Sequence, residues 1–547
     1  MIVTRARIIG AALALFTMVA VVANQENVGI ARDELIYMQT GTRYADWWLG
    51  LVTFQHGASH DSITKTWGGA PGGGNNTEHP PFVKILFGLS HKIFHDGLGI
   101  AGDVTAYRLP GALLHAVLVL LVYAMVLQLW GLAEAIVSAL LVLFLPRAMF
   151  HAGLACFDAP IMTLWFGTVY AYWRCMDNRA WPWQVGIAFG LALATKHTAV
   201  LLPFALGLHY AIVGFRAGGW RGLVLHRWRV IVSVAVLGPL VLIVLWPWLW
   251  FDTFAHIRTW LAFHMTHVHY NFEYLGHNWN SPRFPWHVAL VTTLYTVPVA
   301  TLASALTGAG MWIVKRKDLP DKDRAPVLLL GLSAAASIGP FFLGTTPIFG
   351  AEKHWMPVLP TICIAAGVGV VWAARAVISV LEARTRLTLV TRHLAFGAVL
   401  GAVLIAGAVE TVTAQPYALT WYNALAGGAP GGADKGMNRQ FWGVAALGVL
   451  PVLATDPPVE GTRPVYSHDA SPAWGMYMKE GLVPAWLPDS GSEFSQGIEH
   501  SQLALVIHEK HFNRHDYLIW KAYGTVQPMF VLRADGVPIV SVYGRPR

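Results

Sequence analysis

Apolar residues in this chain gather into long runs separated by short charged stretches. The runs lie near residues 8–24, 105–130, 132–149, 156–173, 184–199, 199–214, 230–250, 287–313, 326–345, 357–374 and 394–412. Most approach the ~20 apolar residues that an α-helix needs to cross a bilayer. The pattern predicts an all-α polytopic membrane protein of about eleven transmembrane helices. Residues 184–214 must form a tight helical hairpin, with Lys196, His197 and Pro203 marking its turn. The first run follows Arg5 and Arg7 and reads either as a signal peptide or as a retained first helix. The acidic pair that follows so closely favours the retained helix, which would hold that pair at the membrane face.

Two long polar interruptions stand out, at 25–103 and 251–286. Within the first, ADWWLGLVTF and FVKILFGLSHKIF are amphipathic and predict helices lying in the membrane interface. GGAPGGGNN between them reads as a flexible hinge, and 50–77 as a mobile gate on the acceptor side. The tail from 413 to 547 changes character. Its strand-like pieces (LALVIHEK, TVQPMFVLRADGVPIVSVY) alternate with helical ones, which predicts a small C-terminal extracytoplasmic α/β domain beside a transmembrane domain of residues 1–412.

Charge sharpens this picture. The chain is 55% hydrophobic and only 12% charged, too little charge to cover a soluble protein of 547 residues. The net charge of +8 reads as a cytoplasmic excess of Lys and Arg, and no motif points to nucleic acid. With the N-terminus inside, Arg174 and Arg179, the arginines of 216–229, the polar segment 315–324 and the arginines of 375–392 all fall inside. The same count brings Asp33, Glu78, Asp158, Lys196, the 251–286 loop, Lys353 and the tail to the outer face. Cys156, Cys175 and Cys363 lie in or beside apolar runs, so neither a disulfide framework nor a cysteine zinc site is indicated.

That outer face holds candidate acids (Asp33, Glu34, Glu78, Asp158) and cations (Lys84, Lys196, Lys353, with Arg108, Arg258 and Arg283). Each has a plainer reading. Asp33–Glu34 is a helix-terminal acid pair, Glu78 and Asp158 favour helix N-termini, and Lys196 snorkels. Together they suit one task. A sugar leaving a lipid phosphate needs its departing charge stabilised by cations, and the acceptor hydroxyl needs a carboxylate base. A transporter or lipid-linked sugar flippase would use the same residue types. The 251–286 loop adds His256, His264, His267, His269 and His277. His264 and His267, at helical i, i+3 spacing, would let Glu78 and His264 share a divalent metal; the alternative is an interfacial belt that binds nothing. No other cofactor is indicated. Tyr270 and Tyr274 suit stacking on sugar or lipid, or anchoring at the interface.

Five stretches in order carry a family resemblance: DELIY, EHPPFVK, YRLPGALLHAVLVLLVYAM, CFDAPIMTLWFGTVYAYWR and GLALATKHTAVLLP. PWHVAL, EKHWMPVLP and YALTWYNALAGGAPGG follow more loosely. The chain resembles the polyprenyl- or dolichyl-phosphate-sugar glycosyltransferases of the GT-C fold, the family of protein O-mannosyltransferases and aminoarabinose transferases. The resemblance implies an inverting transfer of a mannose-like or aminoarabinose-like sugar from a polyprenyl-phosphate donor. The acceptor would be a protein, lipid or glycan hydroxyl, at the outer face of the cytoplasmic membrane. It implies Asp33 as base, Glu34 as its support or as an acceptor contact, Asp158 as a second acid of the cavity, Glu78 and His79 as pocket lining, and Lys196 near the lipid phosphate. Leu35 replaces the family's usual proline, and His197 its usual glycine.

Overall fold

The computed structural model describes the chain except residues 1, 226, 268, 270, 316–320, 386, 456, 510–512 and 547. Apolar runs become helices because a segment with no water to bond its backbone must satisfy every N–H and C=O internally. In chain order these are α1 (Ile2–Gln25), α2 (Arg32–Val52), α3 (His60–Trp67), α4 (Phe82–His91), α5 (Asp103–Leu129), α6 (Leu132–Leu143), α7 (Pro146–Ala152), α8 (Asp158–Met176) and α9 (Pro182–Leu193). There follow α10 (Leu202–Leu225), α11 (Trp228–Leu245), α12 (Thr253–Met265), α13 (Val288–Thr296), α14 (Val299–Lys315), α15 (Asp321–Ile338), α16 (Leu359–Arg384) and α17 (Leu389–Ala414).

Among the described residues, seven helices are long and apolar enough to cross a membrane alone: α1, α5, α10 with its preceding turn, α11, α15, α16 and α17. Two further runs are broken helix pairs, α6–α7 bent by 69° and α13–α14 bent by 118°. Each break falls at a proline, Pro146 or Pro298, which cannot donate to the helix before it. All eleven expected runs are helical; among the described residues seven to nine of them are long and apolar enough to span, and the remaining two form α8 and the short α9. The hairpin turn predicted at Lys196 is present: Lys196 is extended between α9 and a 3₁₀ turn, His197–Leu201.

The first polar interruption is folded against the bundle. α2 and α4 touch backbone to backbone, because a Cβ added at Gly88 would come within 2.1 Å of the Gly41 carbonyl oxygen. Their inner faces bury Tyr44, Trp47, Val83 and Phe87, while Ile36, Leu49 and Val52 stay outside. GGAPGGGNN is strapped rather than hinge-like. The Asn75 side-chain amide donates to the Gly68 carbonyl (2.6 Å), Tyr44 donates to the Asn75 carbonyl (2.5 Å), and Arg43 donates to the Gly74 carbonyl.

The tail contains a four-stranded sheet. Its strands are β1 (Val465–Tyr466), β2 (Leu503–Ile507), β3 (Phe530–Ala534) and β4 (Val537–Gly544), in the order β1–β2–β4–β3. β1 and β2 are parallel; β2–β4 and β4–β3 are antiparallel. Asp535–Gly536, both at positive φ, close the β3–β4 hairpin, as an Asp-Gly dipeptide favours. All five residues of β2 are buried, as expected of an apolar strand covered on both faces. An apolar cluster including Tyr37, Phe87, Phe157, Leu419, Phe441 and Trp442 joins the tail to the helices.

Candidate active site

Asp33 sits in the first turn of α2, where the helix dipole favours a carboxylate. One of its oxygens accepts a 2.8 Å hydrogen bond from the indole N–H of Trp442. The other lies 3.7 Å from the Arg32 guanidinium, and the side chain keeps 26% of its exposure. Asp33 is therefore oriented from one side and open on the other.

Trp442 belongs to the tail, and its backbone is held at φ +75°. That left-handed conformation costs a non-glycine residue ~1–3 kcal/mol. It directs three groups at once. The indole N–H reaches Asp33, the carbonyl accepts the Arg32 amide (3.0 Å), and the ring lies 4.1 Å from the Lys353 ammonium. Phe349 (5.0 Å) and Phe441 (5.4 Å) complete an aromatic cage around that ammonium. Lys353 is buried and forms no ion pair or hydrogen bond through its side chain among the described residues. Burial pushes its pKa down, and Asp33 and Asp158 oppose the shift.

Asp158, the first residue of α8, is buried and pairs with Lys196 at 2.6 Å. The Lys196 ammonium also lies 3.4 Å from the Lys353 carbonyl. Behind Lys353, Glu352 accepts from buried Arg147 at 2.7 Å, and Arg147 donates to the Trp421 carbonyl at 3.0 Å. The YALTWYNALAGG segment holds this wall in place. The Asn423 amide donates to the Leu294 and Val297 carbonyls (2.7 and 2.6 Å), while its oxygen accepts from the amides of Leu425 and Ala426.

Beside these groups lies a largely apolar cavity of about 280 Å³. Phe341, Phe349, Leu261 and Met265 line it, with His197, His264, His267 and His354. His264 stacks on His197 (3.7 Å between ring centres) and His267 on Phe349 (5.0 Å). Burial pushes the His264 pKa down to about 4 and that of His354 well below the ordinary imidazole value. His264 and His354 are therefore neutral at physiological pH.

Other expected site residues are occupied elsewhere. Glu34 is fully buried. It accepts from Arg108 at 2.7 and 2.9 Å, from the Ala155 amide at 2.7 Å and from the Ala31 amide at 3.1 Å. It fixes the start of α2 and presents no oxygen to the site. Arg108 is correspondingly no site cation: its remaining N–H groups bond the carbonyls of Gln25, Val28 and Gly29. Lys84 gives all three of its protons to the 76–79 loop, at Asn76 O, Asn76 Oδ1 and His79 O, each within 3.0 Å. Burial brings its pKa to about 7. Lys84 shapes the loop and has no proton left for a substrate.

The expected metal pair also reads differently. Glu78 and His264 do meet, but His264 Nε2 bonds the Glu78 main-chain carbonyl at 2.8 Å. The Glu78 carboxylate turns away, accepting from the Gly72 amide (2.9 Å) and the Asn76 side chain (2.6 Å). Facing a carbonyl, His264 Nε2 carries the proton, and both Glu78 carboxylate oxygens are engaged by the 72–76 loop. His79 packs among Tyr37, Phe157 and His264, with Nδ1 unpartnered, and burial holds it neutral. Tyr274 is buried, bonded to His287 at 2.5 Å. Arg258 and Arg283 are exposed. Tyr270 lies outside the described residues.

Sequence reasoning missed Trp442, Phe441 and Phe349. Nothing local marks them. An aromatic pair in a Gly-rich stretch of the tail was the only available sign.

Residues 78–251 match the family model described as dolichyl-phosphate-mannose-protein mannosyltransferase. Among solved structures, ArnT from Cupriavidus metallidurans in its apo state is similar over 99% of this chain and 98% of its own, with a TM-score of 0.50 at 16% identity. The same protein bound to undecaprenyl phosphate gives 0.46 at 16% identity, covering 98% of this chain and 97% of its own. The Archaeoglobus fulgidus oligosaccharyltransferase gives 0.49 at 12% identity, over 94% of this chain and 72% of its own. No curated protein matches the sequence. The fold and the family match define an integral-membrane enzyme of the GT-C class. The chain is a glycosyltransferase by its match to that family model over residues 78–251, and its fold is that of ArnT.

Proposed function

We propose that the enzyme moves a sugar from a polyprenyl phosphate to an acceptor hydroxyl at the outer face of the cytoplasmic membrane, with inversion at the anomeric carbon. The observation that carries this reading is the buried, unpaired Lys353 ammonium beside the half-open Asp33 carboxylate. The adjoining apolar cavity suits an isoprenoid segment. The family model's description, which names a dolichyl-phosphate donor, supports the same donor class. The ionisable groups gather at helix ends (Asp158 opens α8; Lys196 and Lys353 precede spans) rather than mid-span, which favours chemistry over carriage of a solute.

In this reading the Asp33 oxygen beside Arg32 takes the acceptor's proton while Trp442 holds the other oxygen. The acceptor oxygen bonds to the anomeric carbon as the bond from that carbon to the phosphate oxygen breaks. The electron pair leaves with the phosphate, whose added charge faces Lys353. A fixed cation in a low-dielectric site stabilises charge that develops only in the transition state. The Asp158–Lys196 pair lines the floor and keeps Lys196 oriented. The sugar is mannose-like or aminoarabinose-like, and the acceptor is a protein, lipid or glycan that meets the tail domain.

The test is to incubate purified enzyme with a panel of polyprenyl-phosphate sugars and follow their consumption. One donor should be consumed by the wild type and none by Asp33→Asn, while Asp33→Asn still inserts and folds. Near-normal turnover by Asp33→Asn would remove Asp33 as the base.

A further inference from the structure

Away from the candidate active site, α4 runs into a π-helical turn, Lys92–Gly97, whose i→i+5 bonding is seen in the Leu98 amide reaching the Ile93 carbonyl at 2.9 Å. Such turns concentrate at functional positions because the extra residue re-aims side chains. Here it brings His91, His95 and Asp96 together. One ligand-capable atom from each lies within 4.8 Å of the others, the only such group of three among the described residues.

The hydrogen bonds around this group determine which nitrogens are free. His91 Nε2 lies 2.6 Å from Asp103 Oδ1, and the other Asp103 oxygen accepts from the Lys479 ammonium. A carboxylate facing an ammonium accepts, so His91 Nε2 carries the proton and Nδ1 keeps its lone pair. That Nδ1 is buried without a hydrogen-bond partner, 3.6 Å from Asp96 Oδ2, on a side chain only 8% exposed. His95 Nδ1 faces the Ala101 carbonyl at 3.0 Å, which can only accept, so His95 Nε2 is also a lone-pair nitrogen. Imidazoles whose second nitrogen is fixed by a carboxylate or carbonyl are the usual second shell of metal-binding histidines. The His91 ring is further fixed by stacking on Tyr107 (4.1 Å, 15°).

We infer that His91 Nδ1, His95 Nε2 and the Asp96 carboxylate bind a zinc-like divalent cation, with water completing four-coordination. Two imidazoles and a carboxylate suit zinc, whereas calcium and magnesium take all-oxygen sets. The position gives the site a purpose. His91 hangs on Asp103, and Asp103 binds Lys479 of the tail, while Glu480 accepts from the Val104 amide at 3.4 Å. A bound cation clasps the seam between the helices and the tail domain. This inference does not depend on the donor or acceptor proposed above.

The experiment uses full-length protein in detergent, freed of any polyhistidine tag and stripped with chelator, titrated with Co²⁺ and then Zn²⁺. Wild type should bind one Co²⁺ with visible d–d absorption of a four- or five-coordinate site, displaced by Zn²⁺. Zn²⁺ should also raise its thermal midpoint. His95→Ala and Asp96→Asn, both on partly open side chains, should each weaken binding at least tenfold and lose that thermal shift. Absence of binding in the wild type overturns the inference. So does binding that persists undiminished in the His95→Ala/Asp96→Asn double variant, which would move the cation to another histidine group.

Discussion

Trp442 is the contact through which the tail reaches Asp33, the proposed base, and replacing it separates its two roles. Trp442→Phe keeps an aromatic ring near Lys353 and deletes only the N–H that bonds Asp33 at 2.8 Å. A hydrogen bond to a charged acceptor contributes ~1.5–3 kcal/mol. If the bond orients Asp33 for proton transfer, its loss slows kcat by about 10- to 150-fold at 1.36 kcal/mol per tenfold. Trp442→Leu also removes the ring 4.1 Å from the ammonium, a cation–π contact of ~0.5–2 kcal/mol, and should be slower by a further twofold to thirtyfold. The assay is the initial rate of donor consumption by purified full-length enzyme, with thermal unfolding recorded to show that each variant is folded. The reasoning is refuted if folded Trp442→Phe turns over within twofold of wild type, because the indole N–H would then be incidental to catalysis.

Other outcomes follow from the same geometry. Lys353→Met should leave the fold intact and lower kcat by about 10²–10³, the cost of removing one preorganised charge stabiliser; an unchanged kcat would place the leaving phosphate elsewhere. Glu34→Gln should cost ~3–5 kcal/mol of stability, because it leaves buried Arg108 without its counter-ion. A normal melting temperature with lost activity would instead return Glu34 to the chemistry. Gly88→Ala should lower the melting temperature sharply, since its Cβ would lie 2.1 Å from the Gly41 oxygen. Gly57→Ala, with nothing within 4 Å, is the control and should be silent.

The helical runs, the polar loops and the mixed tail were all legible, because apolar run length and strand-like patterning are local properties. Asp33, Asp158, Lys196 and Lys353 were also legible as candidates, and they do converge. Glu34 and Lys84 looked equivalent to them. A sequence displays charges but not partners, and Arg108 lies 74 positions from Glu34. Trp442 was out of reach for the same reason: it lies 409 positions from Asp33. The Glu78–His264 contact was anticipated, but the bond runs through a main-chain carbonyl, which no side-chain pattern can report. GGAPGGGNN looked loose because glycine dominates it, whereas Asn75, Tyr44 and Arg43 strap it from positions that composition does not connect.

The tail's grip on α2 has an evolutionary consequence. Asp33 is approached by Trp442, and its neighbour Arg32 bonds the Trp442 carbonyl and, at 3.0 Å, Asp469. All three contacts come from residues beyond 412. The two regions are thus separate in topology yet not interchangeable as modules. A chimera that joins these helices to a relative's tail would inherit every membrane-side acid and lysine and still lack the contacts that seat Asp33, the proposed base. Acceptor preference, if it resides in the tail, cannot drift without the residues that hold the carboxylate drifting with it.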